Sequence, residues 1–345
     1  MQYLRQALFN KYSWIFICGL CIWIWLLLST HSQSSEYAIG DFYPVYVAGR
    51  AFLNGIDPYS DQIIQELSHT WNAPYASAGF AYPLPIIVLI LPILVLPYIP
   101  SMICWMLFGL VSSFAAIDLQ KHWRPLIALP FCFLPLYNAT VAAQATLIWF
   151  GLAVLLLLGI KYEKVWLIGI CIALLPIKPQ TGIIFALVGI WWVWRKQAWS
   201  ALIWAGITGS LIWGGSFLLQ PSWLQDWLMS LKRYDEVVYT EQFWLWGLIL
   251  LVTTWHLPWY ARLSVLQVLL FPITSLYSFA PLLLVWVALG GPIAYIGSLI
   301  SWAIIVFNLP YSTIVFVGTI LLPLIVCTGW EAQKHWTGHR QTVPN

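Results

Sequence analysis

Residues 13–29, SWIFICGLCIWIWLLLS, carry no charge, and as a helix rising about 1.5 Å per residue they nearly match the roughly 30 Å hydrocarbon layer of a bilayer. A helix apolar on every side has to be buried, in protein or in lipid. Runs of the same kind recur at about 83–99, 101–119, 125–137, 141–160, 165–177, 181–194, 199–219, 243–255, 262–275, 279–291, 292–308 and 311–328. The pattern predicts an all-α membrane protein, a polytopic helical bundle with about 12 transmembrane helices. Composition agrees: of 345 residues 61% are apolar and 8% charged, whereas soluble domains carry about a quarter charged residues. The first run has no small-residue cleavage site, which predicts a retained spanning helix and not a signal peptide.

The 24 tryptophans suit many membrane–water boundaries, where the indole sits at headgroup level. A net charge of +3 without a basic patch argues against a nucleic-acid partner. The six cysteines, Cys18, Cys21, Cys104, Cys132, Cys171 and Cys327, fall in or beside apolar segments and read as packing residues.

Charge sets the expected topology. Arg5 and Lys11 precede the first run and place the N-terminus in the cytoplasm. The polar stretch that follows, 31–82, holds Glu36, Asp41, Asp57, Asp61 and Glu66 against a single Arg50 and reads as the first outer loop. The turns at Lys161/Lys164 and Arg195-Lys196 read as cytoplasmic, so the apex between them, Lys178-Pro179-Gln180, faces outward. The same alternation gives Asn138–Gln144 and a second outer loop, 220–242, on the outside, and a cytoplasmic tail, 329–345. Two full crossings between 83 and 119 break the alternation, so one run between 83 and 137 should be interfacial or half-spanning, as Pro83, Pro85, Pro92, Pro97 and Pro100 allow. The chain reads as one integral membrane domain over 1–345, multi-pass in the cell membrane with both termini cytoplasmic.

Chemistry should gather on the outer face. Phe42, Val45, Tyr46, Gly49, Phe52 and Leu53 have helical spacing and predict a short amphipathic surface helix, with Asp41 at its N-cap, Pro44 in its first turn and Asn54-Gly55 as its stop. The plainer reading of Asp41 is that cap; a cap and a catalytic carboxylate are compatible. Lys178 stands between two prolines at an outward apex. The plainer reading is a snorkelling lysine, the sharper one an ammonium that holds a lipid phosphate. Asn138 and Gln144 offer amides to a hydroxyl-rich ligand, or simply finish helix ends. Asn138-Ala139-Thr140 also matches a glycosylation acceptor. The second outer loop mixes Asp226, Lys232, Arg233, Asp235, Glu236 and Glu241 with Trp223, Trp227 and Trp244, and reads as a solvated amphipathic loop. No phosphate-cradling glycine loop, metal-spaced His/Cys/carboxylate cluster, nucleophile elbow or Asp-x-Asp pair is present. A nucleotide-sugar donor is therefore not expected, no cofactor is implied, and a divalent metal stays open without support from the residues.

The stretch 41–59, DFYPVYVAGRAFLNGIDPY, resembles the first-loop signature of glycosyltransferase family 87: an aspartate, an aromatic-rich helix with small residues, then leucine, glycine and a Pro-Tyr pair. Tyr82-Pro83-Leu84 resembles the family's lead-in to the next helix, and Ala143-Gln144 its Gly-Gln pair with alanine in place of glycine. The run from Gly169 to Pro179 resembles a glycine-rich helix ending in Lys-Pro; Ser275-Leu276-Tyr277-Ser278 is a looser match that lacks the family's proline.

The resemblance implies a GT-C-type membrane enzyme that transfers a hexose, mannose first, from a polyprenyl-phosphate sugar to a glycolipid or glycan hydroxyl, with inversion. It implies Asp41 as general base and Lys178 as the phosphate's counter-charge. Tyr46, Tyr59 and Tyr82 would shape the pocket, Arg50 would assist the phosphate, and Asn138, Gln144, Gln180 and Tyr277 would complete the binding set. The alternative from another class is a flippase or transporter for lipid-linked sugars. It predicts charges near the bilayer midplane, and the charge-poor interior argues against it.

Overall fold

The structure, a computed structural model, describes residues 14, 16–25, 40–70, 76–235, 244–271 and 275–341, without the side chains of 235 and 334–341. Arg5, Lys11, Glu36, Glu236 and Glu241 lie outside the described residues, as do the side chains of Asp235 and the basic tail. Every element among the described residues is helical. Among the described residues three helices, Tyr98–Leu119, Ser200–Leu219 and Thr313–Gln333, are long and apolar enough to cross a membrane. The remaining apolar helices have 10–17 residues, which is about 15–25 Å of rise. Helix length among the described residues thus marks three clear spans and leaves the expected number of about 12 unconfirmed, since proline and glycine interrupt many of the apolar runs. The run 125–137 is the clearest case: it forms 3-10 turns at Arg124–Leu126 and Leu129–Cys132, with Pro125 and Pro130 near their starts, before Leu134–Val141 becomes helical. The expected tail from 329 onward continues, through 341, the helix Leu322–Gln341.

The chain divides into two compact units. One comprises 1–29, 114–139 and 241–345. Its irregular 124–133 backbone is satisfied by side chains: Trp23 Nε1 donates to the Phe131 carbonyl at 3.0 Å and Trp302 Nε1 to that of Cys132 at 2.9 Å. The amide of Leu134 donates to Ser301 Oγ at 3.0 Å. Non-helical backbone buried away from water requires such partners. Cys132 is half-buried here, whereas Cys18, Cys21 and Cys104 are exposed, so those three do not pack as expected.

The other unit comprises 30–113 and 140–240. Its helices are α1 (Tyr43–Leu53), α2 (Asp61–Thr70), α3 (Pro85–Leu94), α4 (Tyr98–Phe114), α5 (Ala145–Lys161), α6 (Val165–Leu174), α7 (Pro179–Lys196), α8 (Ser200–Leu219) and α9 (Trp223–Asp235). As expected, Pro44 lies in the first turn of α1, and Asn54 ends it before Gly55 turns the chain at φ +76°. Val47 and Ala51 of α1 pack on Ile63 and Leu67 of α2, and Gly49 lets α1 approach Leu94 of α3. Helix α1 is thus buried on several sides within the protein, more than one apolar stripe on a surface requires.

Helices α5, α6 and α7 form a layer. Gly189 of α7 meets Ile172 and Leu156, Gly159 of α5 meets Ile168, and Trp149 Nε1 donates to the Leu174 carbonyl at 3.0 Å. The turns at 161–164 and 195–197 share one end, where Lys196 Nζ stands 3.5 Å from Glu163 Oε1. The first turn of α5 and the start of α7 therefore share the other end, as the charge alternation predicted. Within the expected second outer loop, 223–235 forms the amphipathic helix α9.

Candidate functional site

The backbone of Asp41 is held from a distant part of the chain. Its N–H donates to the Ala142 carbonyl at 2.7 Å, and Gly40 lies so close that a Cβ would stand 2.8 Å from that same oxygen. Helix α1 is counted from Tyr43, with Phe42 already in a helical conformation, so Asp41 immediately precedes its first turn. Its N–H bond docks it on the turn before α5. In that turn Ala143 takes φ +47°, a left-handed conformation that glycine adopts freely. This is where the chain carries alanine for glycine in the resembled Gly-Gln pair. Trp105 Nε1 anchors the turn by donating to the Ala143 carbonyl at 3.1 Å. The Asp41 side chain is half-buried.

Lys178 occupies the predicted apex. Helix α6 tightens into a 3-10 turn over Leu175–Ile177, and Lys178 is the N-cap of α7, with Pro179 in its first turn. Gly182 keeps the hairpin closed, since a Cβ there would run into the Leu175 carbonyl. The lysine is 9% exposed, and Nζ lies 5.5 Å from the centre of the Tyr82 ring. Burial pulls its ammonium from the ordinary 10.5 down to about 8, while the nearby Asp41 charge acts to raise it. The carboxylate and the ammonium of the sequence reading therefore lie in one unit, near enough for the charge of one to act on the other. The starts of α1, α5 and α7, each the positive end of a helix dipole, flank it.

Tyr82 is delivered by a strap whose carbonyls are individually held. Tyr59 Oη donates to the Tyr82 carbonyl at 2.9 Å, Trp227 Nε1 to that of Ala81 at 3.1 Å, and Ser230 Oγ to that of Phe80 at 2.7 Å. Gln220 adds a bond from Nε2 to Asp57 Oδ1 at 2.9 Å, and Ser222 Oγ donates to Asp226 Oδ2 at 2.8 Å. Helix α9 thus fastens the first outer segment from outside it. Tyr59 is 6% exposed, and burial, with the charges of Asp57 and Asp226, pushes its phenol far above the usual range, so it stays a neutral donor.

The other expected residues are placed as follows. Arg50 is exposed and donates to the Leu94 carbonyl at 3.0 Å, on the C-terminal end of α3; Tyr46 Oη donates to the Leu96 carbonyl at 3.1 Å. Both therefore already tie α1 to the end of α3. Gln144 is buried and Gln180 half-buried, each at the same end as Lys178. Asn138 and Tyr277, both half-buried, fall in the other unit. Thr140 of the glycosylation-like triplet is 1% exposed, in the Leu134–Val141 helix, which is no surface acceptor loop. The sequence reading missed Tyr98, which stacks on Phe42 at 6.2 Å and meets Tyr43 edge-on at 5.5 Å, and it missed Trp105, Trp227 and Ser230. Of these, only Trp227 and Ser230 left a signal, lying one helical turn apart on 223–235.

A family model described as Glycosyltransferase family 87 matches residues 80–307. The matched stretch includes Tyr82, Gln144, Lys178 and Tyr277 and begins C-terminal to the Asp41–Tyr59 segment. No curated protein and no solved structure matches the chain.

Proposed function

This chain belongs to glycosyltransferase family 87 and is a membrane glycosyltransferase, and from that premise we propose that it moves a hexose, mannose being the first candidate, from a polyprenyl-phosphate sugar to a hydroxyl of a glycolipid or glycan on the outer face. Asp41 takes the proton of the acceptor hydroxyl as that oxygen attacks the anomeric carbon. The bond from that carbon to the phosphate oxygen breaks on the opposite face, and the electron pair leaves with the polyprenyl phosphate. The configuration inverts. Lys178 balances the charge that grows on the departing phosphate, which needs no acid to leave. Tyr82 positions the ammonium, and Tyr59 positions Tyr82. The transfer so written uses neither metal nor cofactor.

The observation that carries this reading is the pairing of Lys178, buried over the Tyr82 ring, with the charge of Asp41 at one end of helices α5–α7. The residues are sorted by chemistry: a cation for a phosphate, a carboxylate for a hydroxyl proton. Asp41→Asn in membrane vesicles, supplied with polyprenyl-phosphate hexose and acceptor, is expected to lose transfer by at least about a hundredfold, the scale of a lost general base. The variant should still unfold at the wild-type temperature. Wild-type turnover in Asp41→Asn would remove the base assignment, and translocation of intact donor without cleavage would favour a transporter.

A further inference from the structure

We propose that Gln144 reads one hydroxyl of the transferred sugar, its side-chain carbonyl accepting a hydrogen bond from that hydroxyl and so deciding which hexose is used. This deepens the reading above and rests on it. Gln144 is 3% exposed, and its Oε1 is buried with no hydrogen-bond partner among the described residues. Folded proteins rarely leave a buried amide oxygen without a donor. The ordinary use of a polar residue before a helix does not account for it. Gln144 is the N-cap of α5, in an extended conformation at φ −69° and ψ 138°, yet its side chain makes no cap hydrogen bond.

Its position is fixed from both sides. The Ala142 carbonyl accepts from the Asp41 N–H, and the next carbonyl, that of Ala143, accepts from Trp105 Nε1. The amide therefore projects from the same short turn that docks the carboxylate residue. Chemistry then selects its partner. Oε1 only accepts, and so do the oxygens of an ionised phosphodiester, so the phosphate cannot satisfy it; Lys178 serves that end. The acceptor hydroxyl gives its proton to Asp41. What remains in the bound complex is a hydroxyl on the sugar in transit, which can donate. A site built to bond a hydroxyl rejects the analogue lacking it far more strongly than an apolar pocket rejects a missing methylene.

The test uses the full-length protein in lipid nanodiscs, with polyprenyl-phosphate mannose and its monodeoxy analogues, and reads kcat/KM. In the wild type, deleting one hydroxyl is expected to cost about ten-thousandfold, the others much less. Gln144→Met should lose a similar factor on the parent donor, and on that one deoxy analogue should match the wild type within about threefold, as two changes to a single bond do. Losses that multiply at every position, or an unimpaired Gln144→Met, would overturn the proposal. The wild-type series is sufficient alone: if every monodeoxy donor is used within about threefold of the parent, no buried acceptor reads a hydroxyl. Failure of the wild type to cleave the parent donor would bring down the donor assignment and this proposal together, whereas cleavage with a flat deoxy series brings down only this one.

Discussion

Lys178 makes donor binding depend on pH in a direction opposite to stability. Its ammonium titrates near pH 8 in the folded protein, and 10.5 is the ordinary value that the unfolded chain regains. Between these values the unfolded state binds more protons, so the protein gains stability from this group as pH rises. Binding of a phosphodiester goes the other way, because the donor keeps its single negative charge across the range and needs the proton on Lys178. The protonated fraction is about nine-tenths at pH 7 and about one-tenth at pH 9, so the donor Kd should rise about tenfold, or about 1.4 kcal/mol.

The Asp41 charge raises the Lys178 value, so removing it sharpens the test. In Asp41→Asn the inflection should move below about 8, leaving Kd at pH 6 unchanged and weakening binding at pH 7.5. In Lys178→Arg the guanidinium stays charged throughout, and the slope should vanish. The assay is equilibrium binding of a fluorescent polyprenyl-phosphate hexose to the protein in nanodiscs, from pH 6 to 9.5 at constant ionic strength. A wild-type Kd flat across that range would refute the placement of the phosphate at Lys178. An inflection that Asp41→Asn does not move would refute the electrostatic coupling.

The remaining expectations concern the parts that hold the site. Ala143→Gly relieves a left-handed alanine but removes a buried methyl, so its unfolding free energy should stay within about 1 kcal/mol of wild type, whereas Ala143→Val should cost about 2 kcal/mol or more; thermal unfolding in detergent reads both. Ser230→Ala and Trp227→Phe each free a strap carbonyl and should weaken donor binding about three- to tenfold through Tyr82, with kcat at saturating donor little changed; a loss of kcat alone would contradict the strap's role. Gly182→Ala forces a Cβ into the Leu175 backbone and should lower stability by about 2 kcal/mol or more, with donor binding lost as the hairpin opens; limited proteolysis would show the opened turn.

The parts legible in the sequence are those where a residue type was improbable in its surroundings. A lysine between two prolines in an apolar run pointed to an apex, and the apex is there. The apolar runs located most of the helices, and the lysine turns correctly grouped their ends, as the Lys196–Glu163 approach shows. Their lengths were less legible, because 125–137 is as apolar as its neighbours and only its spacing of prolines breaks it into 3-10 turns. The segment 223–235 was read as a solvated loop on its mixed charge, although Trp223, Trp227 and Ser230 already marked one side of a helix.

What stayed hidden has a common physical character: it is made by backbone atoms. The capping rule concerns the Asp41 side chain, whereas its backbone is docked by an N–H bonded to the carbonyl of Ala142, far along the chain. The carbonyls of Phe80, Ala81 and Tyr82 carry no sequence signature, yet three side chains converge on them to place one aromatic ring under Lys178. Ala143 looks unremarkable as a residue and becomes informative only through its positive φ. Gln144 carries the same lesson for specificity: the sequence offered an amide, but only the fold shows that its oxygen is buried beside the Asp41 turn without a donor. A charge in an apolar chain announces where a reaction can occur; which hydroxyl reaches it is decided by the polar atoms the fold leaves unpaired.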